Sequence, residues 1–232
     1  MRIATWNVER LKHYRDADSM MREIEKINAD ILVLTETDAR LRPDYPYCCH
    51  TPMLREIRPA YYRETENRVS VFSKYRCVRQ HETYDKYTAI CVELETDSGN
   101  LLVYGTIMGI FGNREASFKT DLLKQMEDIR RLSTQGYRIC VIGDYNLSFC
   151  DNYYYTRFGR ECVTETFDAG QIDILTQDRT WCIDHIAVTR VFFEGVTAIE
   201  EWNLDKKLSD HKGIMVDIRG YEGKTIPGGE FG

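Results

Sequence analysis

Residues 138–146 read RICVIGDYN, an apolar run that ends in a carboxylate and a carboxamide. The run ILVLTE at 31–36 has the same form and ends in a glutamate. Both runs are apolar throughout, as is typical of strands that are covered on both faces. Segment 87–95 instead alternates apolar and polar residues, which predicts a half-buried strand. The chain therefore combines fully covered and half-covered strands.

The rest of the chain has patterns that predict further strands and two helices. Apolar, β-rich runs predict further strands at 2–7, 68–73, 101–108, 183–189, 196–202 and 213–218. Apolar residues recur at helical spacing in 16–28 and 115–134. Two helices are too few to cross over between so many parallel strands. We therefore predict an α/β (α+β) fold with two packed sheets and helices outside them.

The length and composition predict one globular domain. The 232 residues carry a formal net charge of −6, which argues against a tight non-enzymatic nucleic-acid binder but less against a hydrolase. We predict a single domain over 1–220 and a flexible, glycine-rich tail at 221–232. No segment resembles a signal peptide or a membrane span, so we expect a cytoplasmic protein with no membrane partner and no obligate protein partner. The eight cysteines include no Cys-x-x-Cys pair, and a structural zinc site is not expected.

Polar residues at the ends of the predicted strands are the informative ones. A single aspartate after a strand is usually a turn residue, but five such strand-end positions together indicate one site. Clustered carboxylates repel one another unless a cation neutralises them. Oxygen ligands favour Mg²⁺, with Mn²⁺ able to substitute. The candidate residues are Asn7, Glu36, Asp144, Asn146, Asp184, Asp210 and His211.

Six short segments of the sequence together resemble those of a known protein family. They are ATWNVE, LTETD, RVSVFSK, VIGDYNLS, CIDHIAV and LSDHKGI, and they follow one another from residue 4 to residue 214. In this order they resemble the endonuclease/exonuclease/phosphatase superfamily, which includes deoxyribonucleases, abasic-site endonucleases, sphingomyelinases and inositol-polyphosphate phosphatases. The resemblance implies a four-layer α/β sandwich with two mostly antiparallel sheets. It also implies a metal-dependent phosphoester hydrolase.

The resemblance also implies a metal site made by three of the candidate residues. Glu36 would hold Mg²⁺ directly, and Asn7 would bind it directly or through water. Asp210 would complete the carboxylate set around the ion or behind its ligands. Such an ion polarises a phosphoryl oxygen and offsets developing negative charge.

The other four candidates would be catalytic by the same resemblance. Asp144 would orient or deprotonate the attacking water, and Asn146 would hydrogen-bond the scissile phosphate. His211 would stabilise the phosphate or act as the base, while Asp184 would fix its tautomer. We favour Asp144 as the base, because a histidine paired with an aspartate is mostly protonated.

One expected group is missing from the strand at 101–108. Superfamily members usually carry a His or Tyr there that contacts the phosphate, and Ile107 stands at that position. Tyr104 could substitute only if the alignment slips, since alternation places it on the opposite face from Ile107. Asn113, in the following segment, is the other candidate for this contact.

Substrate choice is expected to lie in the loops predicted at 37–67 and 147–180. The second interleaves aromatic and basic residues, which favours single-stranded or distorted nucleic acid, and its substrate-binding candidates are Tyr153, Tyr155 and Arg157. These tyrosines could equally close the ends of the sandwich, and Trp181 is predicted to pack. Our first hypothesis is a nuclease or phosphodiesterase acting on nucleic acid. The alternatives are a phosphomonoesterase or phospholipid-type phosphodiesterase, and a catalytically silent interaction domain.

Overall fold

The structure is a computed structural model that describes residues 1–109 and 116–220. The first half of the chain contains β1 (Arg2–Asn7), α1 (Ala17–Ile27), β2 (Ile31–Asp38), β3 (Tyr47–His50), β4 (Glu66–Ser73), β5 (Arg76–His81) and β6 (Ala89–Thr96). The second half contains β7 (Gly99–Ile107), α2 (Ala116–Thr134), β8 (Ile139–Asp144), α3 (Arg157–Ala169), β9 (Ile172–Ile174), β10 (Asp184–Thr189), β11 (Gly195–Trp202) and β12 (Gly213–Arg219).

The strands form two six-stranded sheets of similar design. The first has the order β11-β12-β1-β2-β4-β3, and the second has the order β5-β6-β7-β8-β10-β9. Each sheet contains one parallel pair at its centre, β1 with β2 and β7 with β8, while its other pairs are antiparallel. Helix α1 connects the first parallel pair and α2 connects the second, as parallel strands require a crossover. Two mostly antiparallel sheets were predicted, and this is confirmed.

The helices and sheets stack in four layers. Val33 and Val71 of the first sheet pack against Val103 and Ile142 of the second, in an apolar cluster between the sheets. On the outer face of the second sheet, α2 and α3 bury a second cluster, and on the outer face of the first sheet α1 buries a third. Strands covered on both faces therefore carry continuous apolar runs, because both of their faces leave water. The predicted four-layer arrangement is confirmed.

The sequence missed three strands and one helix. Strands β3 and β5 lie at sheet edges and are largely exposed, so they lack an apolar pattern, while β9 has only three residues. Helix α3 falls inside the predicted loop 147–180, and that prediction is wrong. Its N-terminus is capped by the Thr156 hydroxyl, which accepts from the Gly159 amide at 3.1 Å. The predicted tail at 221–232 lies outside the described residues.

Candidate active site

The ends of the central strands bring the candidate residues together. Asn7 ends β1 and Glu36 lies near the end of β2, so the parallel pair delivers both to the same edge of the first sheet. Asp144 ends β8 in the second sheet, and Asp184 begins the antiparallel neighbour β10 in register with it. The two sheets therefore meet at one edge of the sandwich with polar side chains from both.

Asn7 joins the two sheets through its carboxamide. Its Nδ2 donates to Glu36 Oε1 at 3.3 Å and to Asp144 Oδ2 at 3.1 Å. Its Oδ1 accepts from the Glu9 backbone amide at 2.9 Å. In this arrangement Asn7 therefore orients the two carboxylates through Nδ2, while its Oδ1 accepts one hydrogen bond and keeps a second lone pair. The side chain is fully buried, which favours a fixed geometry.

Glu9 is a site residue that sequence reasoning missed, although it stands in the segment ATWNVE. Its carboxylate bonds Lys12 Nζ at 2.7 Å, and its other oxygen accepts from the Asp210 amide at 3.2 Å. Glu9 raises the pKa of Lys12 through this hydrogen bond, and Glu36 and Asp210 add to the effect. One ammonium group thus faces three carboxylates. The ammonium therefore offsets part of the negative charge at this edge of the site.

A tight turn after β8 positions Asp144 and Asn146. Gly143 has φ of +134°, and a Cβ at this position would lie 2.1 Å from the Thr106 carbonyl oxygen, so only glycine fits. Asn146 is left-handed with φ of +50°, and its amide donates to Asp144 Oδ1 at 2.8 Å. Asn146 Nδ2 also donates to the Met108 carbonyl at 2.8 Å. The turn therefore holds both side chains toward the gap between the sheets.

His211 and Asp184 form a short ion pair. His211 Nδ1 lies 2.6 Å from Asp184 Oδ2. Burial lowers the pKa of His211, but the charges of Asp184 and Asp144 outweigh it and raise the pKa to about 10. The imidazole is therefore protonated at neutral pH and places a positive charge at the site. The Ser209 hydroxyl, which accepts from the His211 amide at 3.2 Å, helps to hold the loop.

Asp144 is the carboxylate that is best placed to accept a proton. Burial raises its pKa to about 7; the His211 charge opposes this shift, whereas Asp184 and Glu36 add to it. A carboxylate whose pKa lies near the operating pH is suited to general-base work. The two raised pKa values give the groups opposite tasks. His211 stays protonated at neutral pH, whereas Asp144 can accept a proton near pH 7.

One group of side chains in the described part of the chain brings three possible ligand atoms together. One ligand atom each from Asp144, Asp184 and His211 lies within 4.8 Å of the others. However, a protonated imidazole already paired with Asp184 is a cation and not a ligand. Mg²⁺ prefers oxygen ligands, and Glu36, whose Oε1 accepts from the same Asn7 carboxamide as Asp144 Oδ2, offers such oxygens at this edge of the site.

These residues open onto a cleft of about 660 Å³. Its walls combine the catalytic candidates with arginine and tyrosine side chains, which suit a negatively charged substrate that carries a planar group. The residues that line it are Arg10, Glu36, Leu54, Ile57, Arg58, Tyr61, Tyr62, Arg68, Asp85, Tyr87, Ile107, Gly109, Asp144, Asn146, Tyr154 and His211. Four of the arginine and tyrosine members come from segment 54–68, and one, Tyr154, comes from 147–180.

A smaller aromatic surface lies on the other side of His211. Trp181 is 63% exposed, and its ring lies 5.1 Å from that of Tyr153. Lys206 Nζ donates to the Tyr153 hydroxyl at 2.8 Å. Trp181 was predicted to pack, but its exposed indole beside the site makes it a substrate contact candidate together with Tyr153.

The structure corrects three of the predicted substrate residues. Tyr104 is fully buried among the residues facing α2, where its hydroxyl donates to Asp128 Oδ2 at 3.1 Å, so it cannot reach a phosphate in the cleft. Arg157 begins α3 and bonds Glu161 on the surface at 2.6 Å. Tyr155 lies under the Arg160 guanidinium, 4.0 Å away, and does not line the cleft.

Asp210 and Asn113 are two further residues that were predicted to belong to the site. Asp210 is brought to the site, but its side chain is 66% exposed and its Oδ1 lies 3.7 Å from His211 Nε2. The predicted contact from Asn113 lies outside the described residues.

Within 1–109 and 116–220, the chain has no helix long and apolar enough to cross a membrane.

Solved structures with the same fold support this interpretation of the architecture. The 3′ phosphatase NExo from Neisseria, bound to a product DNA hairpin, is 16% identical, with a TM-score of 0.70 over 94% of this chain and 99% of that one. The AP endonuclease LMAP from Leishmania major is 17% identical, with a TM-score of 0.68 over 95% and 88%. An AP endonuclease from Archaeoglobus fulgidus is 13% identical, with a TM-score of 0.68 over 94% and 99%. Comparison with curated protein sequences finds no significant match.

The family is decided by the sequence itself. The pattern of the Endonuclease/Exonuclease/phosphatase family matches residues 4–211, which spans the site from β1 to His211. Family membership agrees with the two sheets, the strand-end carboxylates and the arginine- and tyrosine-lined cleft. The chain therefore belongs to the endonuclease/exonuclease/phosphatase family of hydrolases that act on phosphoester bonds.

Proposed function

We propose that this protein is a Mg²⁺-dependent phosphodiesterase that cleaves nucleic-acid strands. The observation that carries the proposal is the pairing of a protonated His211 with a buried Asp144 whose pKa is raised to about 7, both facing one arginine- and tyrosine-lined cleft. A cation and a proton acceptor across one gap are the two groups that phosphoester hydrolysis requires from the protein.

Each step uses side chains in the positions described. The His211 imidazolium and the Asn146 carboxamide bind the scissile phosphate, and the His211 charge offsets the negative charge that develops on the phosphoryl oxygens. Asp144 orients a water molecule and takes its proton as the water oxygen attacks phosphorus. The bond between phosphorus and the leaving strand's oxygen breaks, and that oxygen takes up a proton from solvent. Asn7 holds Asp144 and Glu36 in place through its Nδ2. Glu36, with Asp210 nearby, is the residue that would hold Mg²⁺, which when bound would supply Lewis-acid stabilisation of the phosphoryl oxygens.

The cleft favours a single strand or a strand end over an intact duplex. The formal net charge is −6, while arginines concentrate in the cleft at Arg10, Arg58 and Arg68. Long duplexes bind best to extended basic surfaces that contact several phosphates. A short stretch of strand instead needs a local phosphate contact and an aromatic platform, such as the exposed Trp181 beside Tyr153.

A terminal phosphomonoester is the second candidate substrate. It is favoured by the arginine- and tyrosine-lined cleft, which is large enough for a terminal phosphate with one nucleotide. The neighbour NExo is described as a 3′ phosphatase, which makes a 3′-phosphate end a natural substrate to test.

The proposal is tested by comparing substrates with and without metal. Single-stranded, duplex and 3′-phosphorylated DNA, RNA and inositol phosphates are incubated with Mg²⁺ or with EDTA. We expect metal-dependent cleavage of single strands or release of 3′-phosphate. Glu36→Gln should abolish this activity, while the matched surface control Glu95→Gln, which only loses its pair with Arg76, should retain it. No hydrolysis of any substrate, or hydrolysis that is insensitive to EDTA, contradicts the proposal.

A further inference from the structure

The cleft presents an aliphatic side chain where a phosphate donor is expected. Ile107, the last residue of β7, lines the cleft and pairs with Asp144 across the parallel ladder. The preceding Thr106 is fully buried, and its hydroxyl donates to Gln125 Oε1 at 2.6 Å. Neither side chain therefore offers a donor to a phosphate at Asp144.

Arg68 reaches the same region from the first sheet. Strand β4 pairs Val69 with Thr35 and Asn67 with Thr37, which sets Arg68 opposite Glu36 on β2. Arg68 lines the cleft together with Ile107. A long side chain that starts beside Glu36 therefore extends along the floor of the cleft toward the end of β7.

The Arg68 guanidinium has a nitrogen donor without a hydrogen-bond partner among the described residues. Its Nη1 is buried, and no residue in the described part of the chain accepts a hydrogen bond from it. Leaving a charged donor buried and unbonded is costly, so such a group is usually satisfied by water or a ligand. Burial raises the pKa of Asp121 on α2, and the Arg68 charge opposes this shift. Asp121 Oδ2 accepts from the Gly109 backbone amide at 2.9 Å, so this carboxylate lies just beyond the end of β7.

Arg10, another arginine of the cleft, is already engaged. Its Nη2 lies 3.1 Å from the buried Glu66 carboxylate. Its guanidinium also lies 5.2 Å and 4.9 Å from the ring centres of Tyr61 and Tyr62. These contacts fix Arg10 in the wall, although its Nε is also buried without a hydrogen-bond partner among the described residues. Arg68 differs because no carboxylate in the described part of the chain forms an ion pair with it, whereas Glu66 pairs with Arg10.

We propose that Arg68 binds the scissile phosphate and supplies, from β4, the donor that β7 lacks. This inference rests on the proposed phosphoesterase function. A planar guanidinium can give two parallel hydrogen bonds to two phosphoryl oxygens, and its charge persists at any working pH. Arg68 then holds the phosphate on the β4 side of the cleft, while His211 and Asn146 hold it on the other side.

The first test compares variants at this position. Arg68→Ala should lower kcat/KM by about 10²–10³-fold, the usual effect of removing one preorganised donor to a developing oxyanion. Arg68→Lys should be intermediate, because lysine keeps the charge but loses the two-point geometry. Added guanidinium at non-denaturing concentration should partly restore Arg68→Ala. The matched control is Arg76→Ala, which removes an arginine from an exposed pair with Glu95.

The second test measures binding without catalysis. Inorganic phosphate is titrated by calorimetry into the metal-free wild-type protein and its variants. We expect Arg68→Ala to lose phosphate affinity by about tenfold or more, and Arg76→Ala to keep it. A merely structural role through Asp121 would lower the melting temperature but would permit neither guanidinium rescue nor a selective loss of phosphate affinity.

The outcomes separate this inference from the proposed function. If Arg68→Ala keeps wild-type kcat/KM and phosphate affinity, Arg68 is not a phosphate ligand, although the enzyme remains a phosphoesterase. If the wild-type protein hydrolyses no phosphoester, the proposed function fails, while the phosphate titration still decides the role of Arg68. If Arg68→Ala does not fold, Arg68→Lys decides instead: a loss of tenfold or more supports the inference, and unchanged activity overturns it.

Discussion

Replacing Asp184 with asparagine tests how His211 works. The substitution keeps the size of the side chain but removes the charge that lies 2.6 Å from His211 Nδ1. Asp184 Oδ1 is buried and has no hydrogen-bond partner among the described residues, so the new amide group meets no existing contact there. The main effect is therefore electrostatic.

The size of the effect follows from the pKa of His211. Burial lowers this pKa, and Asp184 is the largest of the groups that raise it to about 10. Without Asp184, a return to the ordinary value of about 6.5 would leave about 3% of the imidazole protonated at pH 8. The activity of Asp184→Asn relative to wild type should then fall by about 30-fold at pH 8 and by less than about twofold at pH 6.

The assay is the ratio of variant to wild-type kcat/KM from pH 5.5 to 9 in saturating Mg²⁺. The pKa of Asp144 is fitted separately for the two proteins from the acid limb of each profile, because Asp184 contributes to raising it. The titration of the His211 ring, followed by NMR, reports the pKa directly. Asp173→Asn is the matched control, because it removes a surface carboxylate that bonds Arg190.

Two results would refute this reasoning. A ratio well above one, largest at low pH, would mean that neutral His211 acts as the base and that Asp144 does not, because the variant would hold more neutral imidazole than wild type at every pH in this range. A flat ratio with an unchanged His211 titration would mean that Asp184 does not set the charge of the imidazole.

The same pKa shift predicts a pH dependence of stability. The folded-state pKa of His211 is raised to about 10, above the unfolded value of about 6.5. The native protein therefore binds more protons than the unfolded chain between these values. This stabilisation is fully present below pH 6.5 and is lost as the pH rises through 10. In EDTA, the melting temperature of wild type should thus fall more between pH 7 and 10 than that of Asp184→Asn.

Three other substitutions probe the rest of the site. Glu36→Gln should lower Mg²⁺-dependent activity by about 10³-fold or more while the melting temperature changes little, since the residue holds the ion and not the core. Trp181→Ala should raise KM for single-stranded oligonucleotides roughly 5- to 100-fold with a small change in kcat, and an unchanged KM would exclude base stacking. Gly143→Ala should lower the free energy of unfolding by about 2–5 kcal/mol, measured by urea denaturation, because its φ of +134° and the nearby Thr106 carbonyl leave no room for a Cβ.

The sequence by itself determined the strands and the chemistry at their ends. Runs such as 31–36 and 138–143 are covered on both faces, so their composition alone identifies them. Polar residues that interrupt these runs, such as Glu36 and Asp144, stand out because burial would otherwise penalise them. Edge strand β5 and helix α3 were not predicted, because an exposed strand and a helix with a glycine in its first turn have weak hydrophobic patterns.

Only the tertiary structure decided which side chains share the cleft. Alternation had set Tyr104 and Ile107 on opposite faces, but the burial of Tyr104 against Asp128 excluded it from phosphate binding. Glu9 and Arg68 became site residues only when β1, β2 and β4 were aligned and packed over the second sheet. The physical reason is that sequence periodicity reports only the local burial of each strand. A site instead depends on contacts between residues that are far apart in the chain, and strand register and sheet packing set those contacts.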